Sequence, residues 1–222
     1  MHIADGYLGG GILVVTGAVS LGAAAVTLKK ARNELDDKTV PLVALCAAFV
    51  FAAMMLNFPV APGTSGHFLG AAMLALILGP YLGSLVMMLV LIVQAVLFAD
   101  GGLSALGANI FNMAVVGVWG AYAIFLIGKA FLPRNRLGYM VSAAAAAWSS
   151  VVMAAMLCGL ELAFSLPFLP TGTVPAIVGV HLLIGIVEAF ITVVVLGTVT
   201  TVRPDLVRTY PYRPATAEAE VR

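Results

Sequence analysis

No Lys, Arg, Asp or Glu occurs between Pro41 and Ala99. Residues 6–28, 101–128 and 137–160 are equally free of charge. A soluble domain carries about 25% charged residues, whereas this chain of 222 residues has 9%, with 62% hydrophobic residues. So little polar surface could not cover a soluble core of this size. An ordinary cytosolic enzyme and a disordered chain are therefore excluded. A nucleic-acid binder is excluded too, because the net charge is only +1 and no basic face is available. Long unbroken apolar runs, rather than the weak alternating segments of a barrel, define an all-α polytopic protein of the lipid bilayer.

A span needs about 20 apolar residues, because the hydrocarbon is about 30 Å thick. The runs place spans at 9–28, 40–56, 68–79, 82–98, 110–131, 139–165 and 174–202, a seven-helix bundle in a single domain over 1–202. The third is short. Joining it to the fourth would put Gly79-Pro80 in mid-helix, where proline removes a backbone bond and clashes with the preceding turn. The basic residues favour the break. They fall in three clusters: Lys29, Lys30, Arg32 and Lys38; Lys129, Arg134 and Arg136; Arg203, Arg208, Arg213 and Arg222. Seven spans put all three on one side, the cytoplasm; six would split them. The N-terminus is then extracytoplasmic and the C-terminus cytoplasmic. Basic residues follow the first apolar run instead of preceding it, the reverse of a cleaved signal peptide, so the tail from Met1 is expected to persist. The Pro-rich segment 203–222 reads as a mobile cytoplasmic tail. No internal repeat of the kind seen in secondary transporters is visible.

Chemistry concentrates on the outer side, which lacks Lys and Arg and carries two of the three histidines. An amino terminus followed directly by His2 offers three nitrogens: the Met1 amine, the His2 backbone nitrogen if deprotonated, and the His2 imidazole. Together they close two small chelate rings in one plane, which suits Ni(II) or Cu(II). A fourth donor must come from elsewhere, and His67 lies on the same face. Each histidine alone reads as an ordinary terminal or loop residue; the pairing raises the metal reading. His181 and Glu188 are seven residues apart on one helix face, and Glu161 lies in the sixth span. Ionisable groups inside a membrane usually mark function, but structural hydrogen bonds remain an equal reading. Asp5, Asn57 and Ser65 are candidates for orienting the ligands.

Several features read as bland. Cys46 and Cys158 sit in apolar runs without a partner motif and read as small buried residues. GTSGHFLG (63–70) lacks the Lys-Ser/Thr ending of a phosphate loop, so any ATP motor is another chain. Ala44, Ala48 and Ala52 form a small-residue stripe that would let a partner helix approach. No hydrolase constellation is present, so the chain is read as a transporter subunit and not an enzyme.

Several segments together, MHIADGYL, NFPVAPGTSGHFLG, LGP at 78–80, VLIVQAVLFADGGLSALGANIFNMAVVG and HLLIGIVEA, resemble the CbiM/NikM family. These are cobalt- and nickel-specific substrate-binding (S) components of energy-coupling factor (ECF) transporters of prokaryotic cell membranes. The resemblance runs from Met1 to about Val202. It implies the S-component bundle with an extra N-terminal helix, and the tail folded into the outer mouth. It also implies a square-planar site of four nitrogens from Met1, His2 (two) and His67. The implied substrate is Ni(II), with Co(II) as the alternative, including cobalt uptake for cobalamin synthesis; no organic cofactor is implied. Implied partners are a transmembrane coupling protein, a cytosolic ATPase pair and a small accessory membrane protein. A proton-coupled permease acting alone through His181, Glu188 and Glu161 is the competing class.

Overall fold

The computed structural model describes residues 1–37, 39–61 and 63–211. The apolar runs become helices in the expected order. These are α1 (Gly10–Ala31), α2 (Thr39–Met54), α3 (Ala71–Leu78), α4 (Pro80–Leu97), α5 (Leu106–Asn109), α6 (Val118–Phe131), α7 (Arg136–Ser165) and α8 (Thr173–Val202). A π-helical stretch, Ile110–Gly117, joins α5 to α6, so that 106–131 forms one long rod. Five helices are long and apolar enough to cross a membrane, and α2 is a shorter apolar helix.

The third run differs from expectation. Only 71–78 is helical, and all eight residues are buried. Eight residues rise about 12 Å, far short of the hydrocarbon thickness. The helix starts late because the backbone N–H groups of Leu69 and Gly70 donate instead to the two carboxylate oxygens of Glu188 on α8, at 2.6 and 2.9 Å. It ends at Gly79, and Pro80 opens α4 at the first helical position, where its missing N–H costs nothing. α3 thus sits wholly inside the bundle as a half-helix.

Contacts define two ends of the bundle. At one end Arg208 pairs with Glu34, in the α1–α2 connection, at 2.6 Å and reaches the carbonyl of Leu78. Arg136 donates to Gly197 O and Thr201 Oγ1 near the last turn of α8. At the other end lie the N-terminal tail and two loops. One loop is a two-stranded antiparallel hairpin, β1 (Phe58–Ala61) and β2 (Thr64–Gly66), with Phe58 opposite Gly66. The other runs from Asp100 to Ala105. Every described Lys and Arg belongs to segments at the first end.

The expected loose tail is partly ordered. After α8 a 3-10 turn, Pro204–Leu206, leads into a segment that folds back on the bundle. Val207 and Tyr210 are buried. Arg208 N and Thr209 N donate to Ile77 O and Leu76 O at the end of α3, and Tyr210 packs edge-on against Tyr139. Residues 212–222, including Arg213 and Arg222, lie outside the described residues, as does Lys38. Cys46 and Cys158 are buried and free, as expected. Ala44, Ala48 and Ala52 all face away from the bundle.

Candidate metal site

The tail 1–5 is threaded between the hairpin and the 100–109 loop by backbone pairing. Ile3 forms a bridge to Thr64, Ala4 N donates to Gly63 O, and Gly102 N donates to Ile3 O. Asn109 completes the pairing with a side chain. Its Oδ1 accepts from Ile3 N at 2.8 Å, and its Nδ2 donates to Ile3 O at 3.1 Å. Outside this grip, Asp5 accepts from the backbone N–H groups of Leu103 and Ser104.

This threading buries the start of the chain. Met1, His2 and His67 are 0%, 4% and 1% exposed. The Met1 amine donates to the Ser65 carbonyl. The His2 and His67 rings stack with centroids 4.4 Å apart and 23° between planes. His67 Nδ1 bonds the Phe68 carbonyl at 2.7 Å, which makes it the protonated nitrogen and leaves Nε2 with a free lone pair. That Nε2 is buried without a hydrogen-bond partner, and so are both ring nitrogens of His2. Asp100 Oδ1 stands 3.2 Å from His2 Nδ1 but is not aligned for a hydrogen bond. Buried polar atoms are nearly always satisfied; three unsatisfied imidazole nitrogens in one pocket therefore need an explanation.

Electrostatics favours the neutral, donor forms. Burial lowers the Met1 amine from 8.0 to about 5. Burial also takes His67 well below the usual imidazole range, assisted by the neighbouring amine and His2. His2 is lowered for the same reason, with Asp100 pulling the other way. Burial alone would raise Asp100, but His2, the amine and Asn57 outweigh it and hold the carboxyl below its ordinary value. The pocket is thus a dry set of uncharged nitrogens with one carboxylate at its rim. Such a set prefers a borderline transition metal over Mg(II) or Ca(II), which seek oxygen. Among the described residues no group of three or more His, Cys, Asp or Glu could hold a metal, so any site here draws on the backbone as well.

The remaining candidates divide. Asn57 reaches the site indirectly, donating from Nδ2 to Asp100 Oδ2 at 2.8 Å. Ser65 contributes its carbonyl, and its hydroxyl is buried and unpartnered. Asp5 fixes the loop and does not touch either ring. Glu188 grips the backbone just after His67. His181 is buried, with Nδ1 on its own helix at Ile177 O and Nε2 unpartnered. Glu161 sits apart from these, accepting from Asn112 Nδ2 at 2.7 Å. Sequence reading missed Asp100 and Asn109, both polar residues in the quoted stretch at the mouth.

A helical membrane bundle with a buried nitrogen pocket at one end has a build that suits a metal-ion uptake component. The chain is a member of the CbiM family, whose model, described as the cobalt uptake substrate-specific transmembrane region, matches residues 2–206. It is 40% identical over 214 residues to a protein of Haloquadratum walsbyi named for metal transport, covering 94% of both chains. It is 33% identical over 237 residues to the fused nickel transport protein NikMN of Rhodobacter capsulatus, covering 100% of this chain and 68% of that one. A crystal structure of a truncated transition metal transporter superposes with a TM-score of 0.82 at 35% identity, over 90% of this chain and 99% of that one. The chain is therefore a membrane component of nickel or cobalt uptake.

Proposed function

We propose that the chain is the substrate-capturing subunit of an ATP-driven ECF importer, taking Ni(II), or alternatively Co(II), at the extracytoplasmic face. The donors are the Met1 amine, the deprotonated His2 amide nitrogen, His2 Nδ1 and His67 Nε2, in a square plane. The observation that carries this reading is the stacked, unpartnered imidazole pair beside a buried neutral amine. A neutral amine can donate to Ser65 O and still offer its lone pair. The rings must slide out of their stack to aim both lone pairs at one ion, so loading re-aims side chains and leaves the tail's backbone pairs in place. Loss of the amide proton supplies a negative charge that partly neutralises the cation in this dry pocket. Geometry then selects against Zn(II), which prefers a tetrahedron.

The chain passes from face to face seven times, one passage being made inside the bundle by α3 and its extended approach, with the mouth outside and the basic clusters in the cytoplasm. The outward-facing alanine stripe of α2 is the surface offered to the coupling protein, and ATP hydrolysis belongs to a cytosolic pair. A yellow, diamagnetic complex formed by the purified chain with Ni(II) is the expected result. A paramagnetic octahedral complex, or none, overturns the reading. Titration with Co(II) in parallel decides between the two metals.

A further inference from the structure

The loop 99–102 is built with a care that the nitrogen donors alone do not require. Ala99 has φ +52, a left-handed conformation that costs a residue with a Cβ about 1–3 kcal/mol. Gly101 has φ +96, and a Cβ there would press on Asn109 Nδ2 at 3.1 Å and His2 Cδ2 at 3.4 Å. A Cβ at Gly102 would run into the backbone of Ala4 and Asp5. The turn thus lies directly on the tail, and the side chain it delivers is Asp100.

Asp100 is held from three sides. Its N–H donates to Gln94 O at 3.0 Å, Asn57 braces Oδ2, and Oδ1 rests beside His2 Nδ1. Its side chain is 14% exposed and that of His2 3%, so the carboxylate is the member of the pair that water reaches. Chelation through the amide and the ring of one histidine closes a six-membered ring only through Nδ1; Nε2 is too far round. The nitrogen that Asp100 stands beside is therefore the one a chelated ion must take. No Lys or Arg occurs in 1–28 or 57–112, the segments that form the mouth.

We propose that Asp100 is the capture ligand of the site: it takes the hydrated divalent cation at the mouth through its carboxylate and passes it to His2 Nδ1, giving up its own place beside that nitrogen. This rests on the four-nitrogen reading above. A carboxylate in a poorly hydrated cleft concentrates cations and speeds their arrival, and salt screens that attraction. Because Asp100 is not among the final four donors, its contribution appears in the association rate.

The test is stopped-flow mixing of the full chain in detergent with Ni(II), read as absorbance of the planar complex over a range of NaCl. The native association rate should fall with salt. Asp100→Asn, which keeps size and loses charge, should slow association by about tenfold or more and flatten the salt dependence. Its dissociation rate should not rise, because a carboxylate that eases the way in also eases the way out, whereas loss of a final donor would speed release. Asp100→Glu should retain the salt dependence. An Asn variant associating within about twofold of native, or a native rate indifferent to salt, overturns the proposal while leaving the planar complex standing. If the native chain forms no planar complex, the four-nitrogen reading fails and the proposal falls with it. Should Asp100→Asn not fold, the native salt series and the Glu variant decide the question.

Discussion

The two ends of α3 are gripped by different chemistry. Its approach, Leu69 and Gly70, donates two N–H groups to the Glu188 carboxylate. At its far end the carbonyls of Leu76, Ile77 and Leu78 accept from Thr209 and Arg208. A pair of acceptor oxygens before the first turn and a cation after the last meet the unpaired groups at the two helix ends. Beyond the Glu188 end, however, His2, Ser65 and His67 keep buried polar atoms with no partner, whereas the carbonyls at the Arg208 end are each taken up. One end is arranged to receive something and the other to stay closed. Unmet hydrogen-bonding capacity costs stability, so its concentration at the mouth is the mark of function there.

Perturbing the two ends should give opposite profiles. The largest effect is expected from one residue added before Met1, or from blocking the amine. Ni(II) affinity should fall by more than the roughly 100-fold limit of outer-sphere changes, with thermal stability retained; isothermal titration and a melt on the same sample check both. His67→Ala should weaken binding by more than about 100-fold as well, leaving a three-nitrogen complex with an altered visible spectrum.

Acid should act next. With the amine lowered to about 5 and both imidazoles lowered by burial, all three donors are already proton-free at neutrality, and binding displaces only the amide proton. Affinity should then fall by about tenfold per pH unit on acidification towards pH 6, and more steeply below about pH 5 as the amine takes up a proton. Calorimetry in buffers of different ionisation heat should count close to one proton released at pH 7, against nearly two for an amine at its ordinary 8.0.

Glu188→Gln leaves one of two backbone donors without an acceptor. It should cost about 1.5–3 kcal/mol of stability and weaken metal binding by about 10-fold or more through misplacement of His67. Arg208→Ala should do least: its ion pair is half exposed, so about 1 kcal/mol or less is lost, and Ni(II) affinity should not change. A comparable loss of affinity in both variants would erase the contrast between the ends.

Much of this was legible in the sequence, for identifiable reasons. Charge-free runs must be helical in lipid, and each expected span overlaps a helix; α7 begins earlier only because Asn135 caps it by accepting from Gly138 N. The pairing of His2 with His67 was legible because so few polar residues share the outer side. That the third run is short and stops at Gly79-Pro80 was legible; its late start at Ala71 was not, because the cause is a carboxylate more than a hundred residues away. Asp100 and Asn109 escaped for a similar reason: a lone polar residue in an apolar stretch has no period, and its partner is set by tertiary contact. The docking of 203–211 rests on two apolar side chains, Val207 and Tyr210, that composition averaged into a polar tail.

The Asn109 carboxamide has a consequence for how the mouth tolerates change. It pairs with the N–H and the C=O of one residue, Ile3, as both taker and giver, a match that Asp or Gln would spoil through lost N–H capacity or excess length. It thereby fixes the phase of a very short extended segment. Advancing the chain by a single step would carry each side group about 3.3 Å along and turn it to the opposite surface. The imidazole would then point away from its fellow, with every atom of both still present.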